Sequence, residues 1–150
     1  MTGWRVGNII APDYIIKVIQ QINENVVFTA PSISQRAAIY ALRNRREIQP
    51  PMVDEYRKSM FYAADRINRI PKLSVIYPPK GSFYLFINIK KTGLSSVEAA
   101  ELILKEAHVL VLPGDAFGNC GEGYVRIACT VNVEKLKEAF DRIEKITIFK

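Results

Sequence analysis

The sequence predicts an α+β layer domain, with helices laid on one face of a sheet of few strands. Three observations support this. Apolar residues recur at helical spacing over several long stretches, as in Val53, Tyr56, Met60, Ala63, Ala64 and Ile67. The runs rich in branched and aromatic side chains, such as 82–89 and 124–129, are short. Prolines and glycines separate the two kinds of segment.

In chain order, residues 4–10 read as a short strand closed by the turn Ala11-Pro12-Asp13. Tyr14, Ile15, Val18, Ile19 and Ile22 then follow helical spacing, with Asp13 placed to accept first-turn amides and Asn23-Glu24-Asn25 as the stop. Residues 28–34 read as a loop around Pro31. A helix over 33–45 turns Ala37, Ala38, Ala41 and Leu42 inward. Pro50-Pro51 is expected to break or kink the chain, because proline lacks an N–H and clashes with the preceding turn. A long helical stretch continues to about Ile70 and ends at Pro71.

Residues 74–77 read as a strand, Pro78-Pro79-Lys80-Gly81 as a turn, and 82–89 as a second strand. Ser95-Ser96-Val97-Glu98 fits a capping box and opens a helix through Ala107. Residues 109–112 form a short apolar strand ended by Pro113-Gly114. The glycine-rich loop 118–123 leads into a strand over 124–129. There Val125 and Ile127 face one way and Tyr124, Arg126 and Ala128 the other. Asn132 caps a last helix over 133–146, with Leu136, Ala139, Phe140 and Ile143 inward. The stretch before about residue 45 has little sheet of its own and reads as the tail of another domain.

Composition excludes several classes. With 49% apolar and 24% charged residues in 150, the chain can bury a core without disulfides or metal. No apolar run is long enough for a membrane span, and the N-terminal stretch lacks the plan of a signal peptide. Cys120 and Cys129 fit neither a disulfide framework nor a zinc site, so free thiols and a cytoplasmic location are expected. No metal spacing appears. The net charge of +6 is densest around Arg36, Arg43, Arg45, Arg46, Arg57 and Lys58, without interleaved aromatic residues. That pattern reads as a solvated helix face or an interface, not a nucleic-acid platform.

Two arginines are candidates for chemistry. Arg5 lies between Gly3 and Gly7, where a guanidinium fork can meet a phosphate and the backbone can approach closely. Arg126 lies mid-strand among apolar neighbours, so its charge must reach a partner or water, and a structural salt bridge is the plainest such partner. His108, Asp54 and Glu55 read as structural or surface residues.

The run Thr2-Gly3-Trp4-Arg5 followed by Gly7 resembles the class I/II aminotransferases, the fold-type I pyridoxal-phosphate enzymes similar to aspartate aminotransferase. Three further runs resemble the same family in order and spacing. They are Pro79-Lys80-Gly81-Ser82-Phe83-Tyr84, Pro113-Gly114-Asp115-Ala116-Phe117-Gly118 and Gly121-Glu122-Gly123-Tyr124-Val125-Arg126. The resemblance covers the whole chain. It implies that residues 1–45 are the tail of the large cofactor domain, and that 46–150 comprise a connecting helix and the small C-terminal domain. It implies that Arg5 holds the phosphate of pyridoxal 5'-phosphate and that Arg126 holds the substrate α-carboxylate. Ser32 and Gln35 would lie in a loop that approaches the partner's active site in a homodimer. The Schiff-base lysine falls before Met1 in this pattern, as do the aspartate, tyrosine and ring-stacking aromatic residue of the cofactor site. The implied activity moves an amino group between an amino acid and a 2-oxo acid, with these 150 residues inactive by themselves. The alternative is a short natural product serving as a non-catalytic binding or subunit-interaction module.

Overall fold

A computed structural model describes residues 1–150, which divide into two units, Met1–Pro51 and Met52–Lys150. In the first unit Thr2–Trp4 form a 3-10 turn, and Arg5 closes it in the left-handed conformation at φ 50°. Residues 5–12 have no regular structure, which corrects the strand expected over 4–10. A strand needs a ladder partner for its N–H and C=O groups, and the only sheet is in the second unit.

Helix α1 spans Asp13–Val26. Pro12, not Asp13, takes the cap position, and the Asp13 carboxylate instead lies 2.8 Å from Lys17 Nζ one turn on. Asn23-Glu24-Asn25 does not end the helix. Gln20 donates to Glu24 at 2.9 Å and Asn25 donates to the Gln21 carbonyl at 2.7 Å, which supports the last turns. Helix α2, Ser32–Arg43, half-buries Ala37, Ala38 and Ala41, but Leu42 is 60% exposed rather than inward. Buried Ser34 donates from Oγ to the Trp4 carbonyl at 2.9 Å. No apolar side chain of this unit is fully buried.

Helix α3, Arg45–Asn68, runs through Pro50 and Pro51 where a break or kink was expected. Both prolines are past the first-turn N–H groups that lack intrahelical partners, so each removes one backbone hydrogen bond, yet the helix continues through them. The unit boundary falls directly after them.

The second unit holds the core. Its sheet has three antiparallel strands in the order β1-β3-β2, with β1 at Tyr84–Asn88, β2 at Leu112–Pro113 and β3 at Tyr124–Ala128. Leu85 and Ile87 of β1 and Val125 and Ile127 of β3 face inward. They pack with Ala63, Ala64 and Ile67 of α3, Ala99 and Ile103 of α4 (Ser96–Ala107), and Leu136, Phe140 and Ile143 of α5 (Val133–Ile143). The α+β class is therefore correct.

The strand expected over 74–77 reduces to a bridge between Ser74 and Asn88. Beyond it Pro78 and Pro79 supply no N–H for a ladder. The apolar run 109–112 is likewise mostly non-strand. His108 takes the left-handed conformation at φ 53°, and only Leu112 and Pro113 pair with β3. The capping box forms as its residues predict, with Glu98 N–H to Ser95 Oγ at 3.3 Å and Ser95 N–H to Glu98 Oε2 at 2.9 Å. The Ser95 N–H, and then the Ser95 hydroxyl at 2.8 Å, donate to the Glu98 carboxylate and hold it below its ordinary range. Asn132 caps α5 through the Lys135 N–H at 3.1 Å, and α5 ends at Ile143, earlier than the expected 146.

One polar cluster ties α3 to α5. Arg66, 13% exposed, donates to Glu144 at 2.9 Å, Asp141 at 2.8 Å and the Tyr62 hydroxyl at 2.8 Å. Burial disfavours its charge, but the hydrogen bonds to Asp141 and Glu144 outweigh that and hold its pKa above the ordinary value. Hydrogen bonds from Arg66 and then Lys137 hold Asp141 below the usual carboxylate range. The stability Asp141 contributes is therefore complete above its unfolded pKa, near 4, and disappears as pH falls through the lower folded value. Replacing Arg66 by Met should lower stability by about 2 kcal/mol, since it removes several charge-assisted hydrogen bonds that are partly screened by solvent. It should also flatten the loss of stability below about pH 4. Urea unfolding at pH 7 and at acid pH checks both effects.

Candidate functional site

The outer face of the sheet is built by the same alternation that builds the core. Register places Phe86 of β1 and Leu112 of β2 on either side of Arg126. Inward Val125 and Ile127 are buried, so Arg126 must point to the other side with Tyr124. Tyr84, Phe86, Leu112 and Phe117 line that face and remain partly exposed.

The Arg126 guanidinium lies between two rings, 4.2 Å from the centroid of Tyr84 and 4.2 Å from that of Phe117. No carboxylate pairs with it. The structural salt bridge open from sequence is therefore absent, and ring faces take its place. Ring contacts use the flat faces of a guanidinium and leave the in-plane N–H fork free for a carboxylate. Phe117 also meets Phe86 edge to face at 6.2 Å, and Phe86 stacks on Tyr124 at 5.2 Å. Lys90 Nζ lies 5.0 Å over the Tyr124 ring. The result is a cationic site in an aromatic setting.

Phe117 reaches Arg126 through two consecutive 3-10 turns, Gly114–Phe117 and Asn119–Gly121. These turns meet backbone to backbone: a β-carbon on Gly114 would strike the Gly121 carbonyl oxygen, and one on Gly121 would strike the Gly114 carbonyl. Glycine is required at both positions by space. The proline-glycine and phenylalanine-glycine of the loop thus have separate jobs, close approach at Gly114 and ring placement at Phe117.

Arg5, Ser32 and Gln35 lie in the first unit, and Arg126 lies in the second. Arg5 is exposed, and its one hydrogen bond runs from Nη1 to the Thr2 carbonyl at 3.2 Å, which leaves most of its donors free. Ser32 and Gln35 occupy the first turn of α2, not a loop, and Gln35 donates to the Ala30 carbonyl at 2.8 Å. His108 is the exposed C-cap of α4, bonded through its backbone to Leu104. Cys120 is exposed, while burial pushes the Cys129 thiol up to about 12, so Cys129 is no nucleophile near neutral pH. The sequence motifs contain Tyr84 and Phe117, but nothing in their spacing announces that both would flank one arginine.

Residues 1–143 match the model of the family "Aminotransferase class I and II". An aspartate aminotransferase of Pyrococcus horikoshii is 42% identical over 147 residues, covering 97% of this chain and 37% of that protein. The aromatic-amino-acid aminotransferase 2 of Thermococcus litoralis is 43% identical over 148 residues, covering 97% and 38%. The crystal structure of an aromatic aminotransferase from Pyrococcus horikoshii superposes with a TM-score of 0.84 at 40% identity, covering 97% of this chain and 39% of that one. The chain belongs to the class I and II aminotransferase family, and it spans somewhat over a third of the length of these relatives.

Gly114→Ala should force the two turns apart and lower stability by about 1–3 kcal/mol, the usual cost of overpacking. Gly81→Ala, at a glycine with no atom near its missing side chain, should be close to neutral. Paired thermal melts distinguish the two.

Proposed function

We propose that these residues belong to a pyridoxal-phosphate-dependent aminotransferase, in which they supply the phosphate and substrate-carboxylate contacts. The observation that carries this reading is the unpaired Arg126 fork between Tyr84 and Phe117 on the open face of the sheet. A charge held in this way is positioned but unneutralised, which is what recognition of an amino or 2-oxo acid requires. Arg126 would take the α-carboxylate in two parallel, charge-assisted hydrogen bonds. Fixing the carboxylate fixes the orientation of the α-carbon bonds, a large source of rate in any reaction that breaks one of them.

Arg5 fits the cofactor phosphate, since its exposed fork has donors to spare beside the backbone of Gly3 and Gly7. Pyridoxal phosphate, when bound, supplies the electron sink that makes the α-proton removable. The Schiff-base lysine would come from sequence outside these residues. In the same reading residues 1–45 complete the large cofactor domain and 46–150 are the connecting helix and small domain. The enzyme would work as a homodimer in the cytoplasm, with Ser32 and Gln35 near the partner's site. Two free thiols suit a reducing compartment, and no helix is long and apolar enough to cross a membrane.

A second reading, a non-catalytic binding or interaction module, is favoured by one fact: the first unit exposes Ile10, Tyr14, Val18, Ile22 and Phe28. Kinetics separate the two readings. In the complete enzyme, Arg126→Leu should raise KM for the amino acid by at least ~30-fold, with Arg126→Lys intermediate. Arg5→Gln should weaken cofactor binding in an absorbance titration. An unchanged KM in Arg126→Leu would remove the carboxylate role. The 150-residue chain by itself is expected to show no transamination above a cofactor-only control, and turnover there would contradict the division of labour.

A further inference from the structure

We infer that Ser96, together with Glu122, is a positioning residue for Arg126, a role that rests on the carboxylate-binding reading above. Ser96 is the first residue of α4 and is fully buried, yet it faces neither solvent nor ligand. Its hydroxyl accepts the N–H of Gly123 at 3.0 Å and of Tyr124 at 3.3 Å, and donates to the Gly121 carbonyl at 3.3 Å. One donor and two acceptor sites are all that a hydroxyl has. All are spent on a single turn.

The clamp is reciprocal. The Ser96 N–H, one of the unpartnered amides at the helix start, donates to the Glu122 carboxylate at 2.9 Å. Helix α4 therefore holds the turn 121–124 from two directions, while its own end is closed separately by Ser95 and Glu98. The capping box satisfies the amides of Ser95 and Glu98 but not that of Ser96, so Glu122 completes the helix start and in doing so ties it to the turn.

That turn determines both walls of the site. On one side it enters β3, so the position of Tyr124 sets the register of Arg126 two residues later. On the other side Gly121 abuts Gly114, the start of the 3-10 turn that ends at Phe117. Gly123 is further fixed from below, where its carbonyl accepts the Ile89 N–H at 2.9 Å. A shift of the turn would move the Phe117 ring and the Arg126 fork relative to each other. Such a shift alters carboxylate binding without touching substrate.

The test uses the complete enzyme and compares Ser96→Ala with Arg126→Leu, and with Asn132→Ala, which removes a cap at the far end of the unit's sequence. Ser96→Ala is expected to raise KM for the amino acid by roughly 10-fold, with a smaller change in kcat, as expected for a lost ground-state contact. Asn132→Ala, destabilised through a lost cap, should leave KM unchanged. Where Ser96→Ala does not fold, Glu122→Ala and Glu122→Gln replace it: alanine should raise KM, and glutamine, which keeps an acceptor oxygen, should restore it. A normal KM in Ser96→Ala or Glu122→Ala beside a raised one in Arg126→Leu overturns the positioning role and leaves the carboxylate reading intact. A normal KM in Arg126→Leu overturns the reading on which this role rests. An equal rise in Asn132→Ala would make the effect one of general stability and sink the inference.

Discussion

The antiparallel pairing of β1 with β3 is the constraint on which the second unit depends. It sets Leu85 opposite Ile127 and Ile87 opposite Val125 on the inner face, and Phe86 opposite Arg126 on the outer face. A slip of one residue would drive Arg126 into the core beside Phe140 and expose the apolar set. Burial of the inner face thereby selects the register, and the register presents the cation. Stability and site geometry are two consequences of one alternation.

This dependence explains why the second unit was legible in the sequence. The capping box at Ser95 and Glu98, the cap at Asn132 and the two-sided strand around Arg126 are local patterns with local causes, and each appears at the stated residues. What the sequence could not give was contact between distant segments. Tyr84 and Phe117 are 33 positions apart in number, yet both flank Arg126, because the sheet brings one and a pair of glycine contacts brings the other. The hydroxyl of Ser96 reads in sequence as part of a cap, whereas its bonds reach to residues 121–124.

The first unit was read less well, also for a physical reason. The stretch 4–10 carries the β-formers Trp4, Val6, Ile9 and Ile10, but propensity forms no strand without a neighbour to complete the ladder. Leu42 has helical spacing for an inner position and is nonetheless exposed, because nothing in the unit packs over it. Pro50 and Pro51 mislead in the opposite direction. Each lacks a backbone N–H, yet α3 continues through both, and the rest of its length to Asn68 packs Met60, Ala63, Ala64 and Ile67 into the core.

Two arginines in the second unit show how surroundings separate a charge neutralised within the fold from one whose N–H groups have no carboxylate partner. Each guanidinium nitrogen of Arg66 has a partner, Nε in Glu144, Nη1 in Tyr62 and Nη2 in Asp141, so its charge is neutralised within the fold. Arg126 instead meets the faces of Tyr84 and Phe117, which leave its N–H groups without a carboxylate partner. Sequence singles out Arg126 by its motif, and the structure supplies an independent physical distinction: whether the guanidinium already has carboxylate partners. Adding a carboxylate beside Arg126, for example Leu112→Asp on the adjoining strand, would convert the second kind of arginine into the first. The carboxylate binding proposed for Arg126 should then be lost while the sheet remains, since the new charge competes for the same fork.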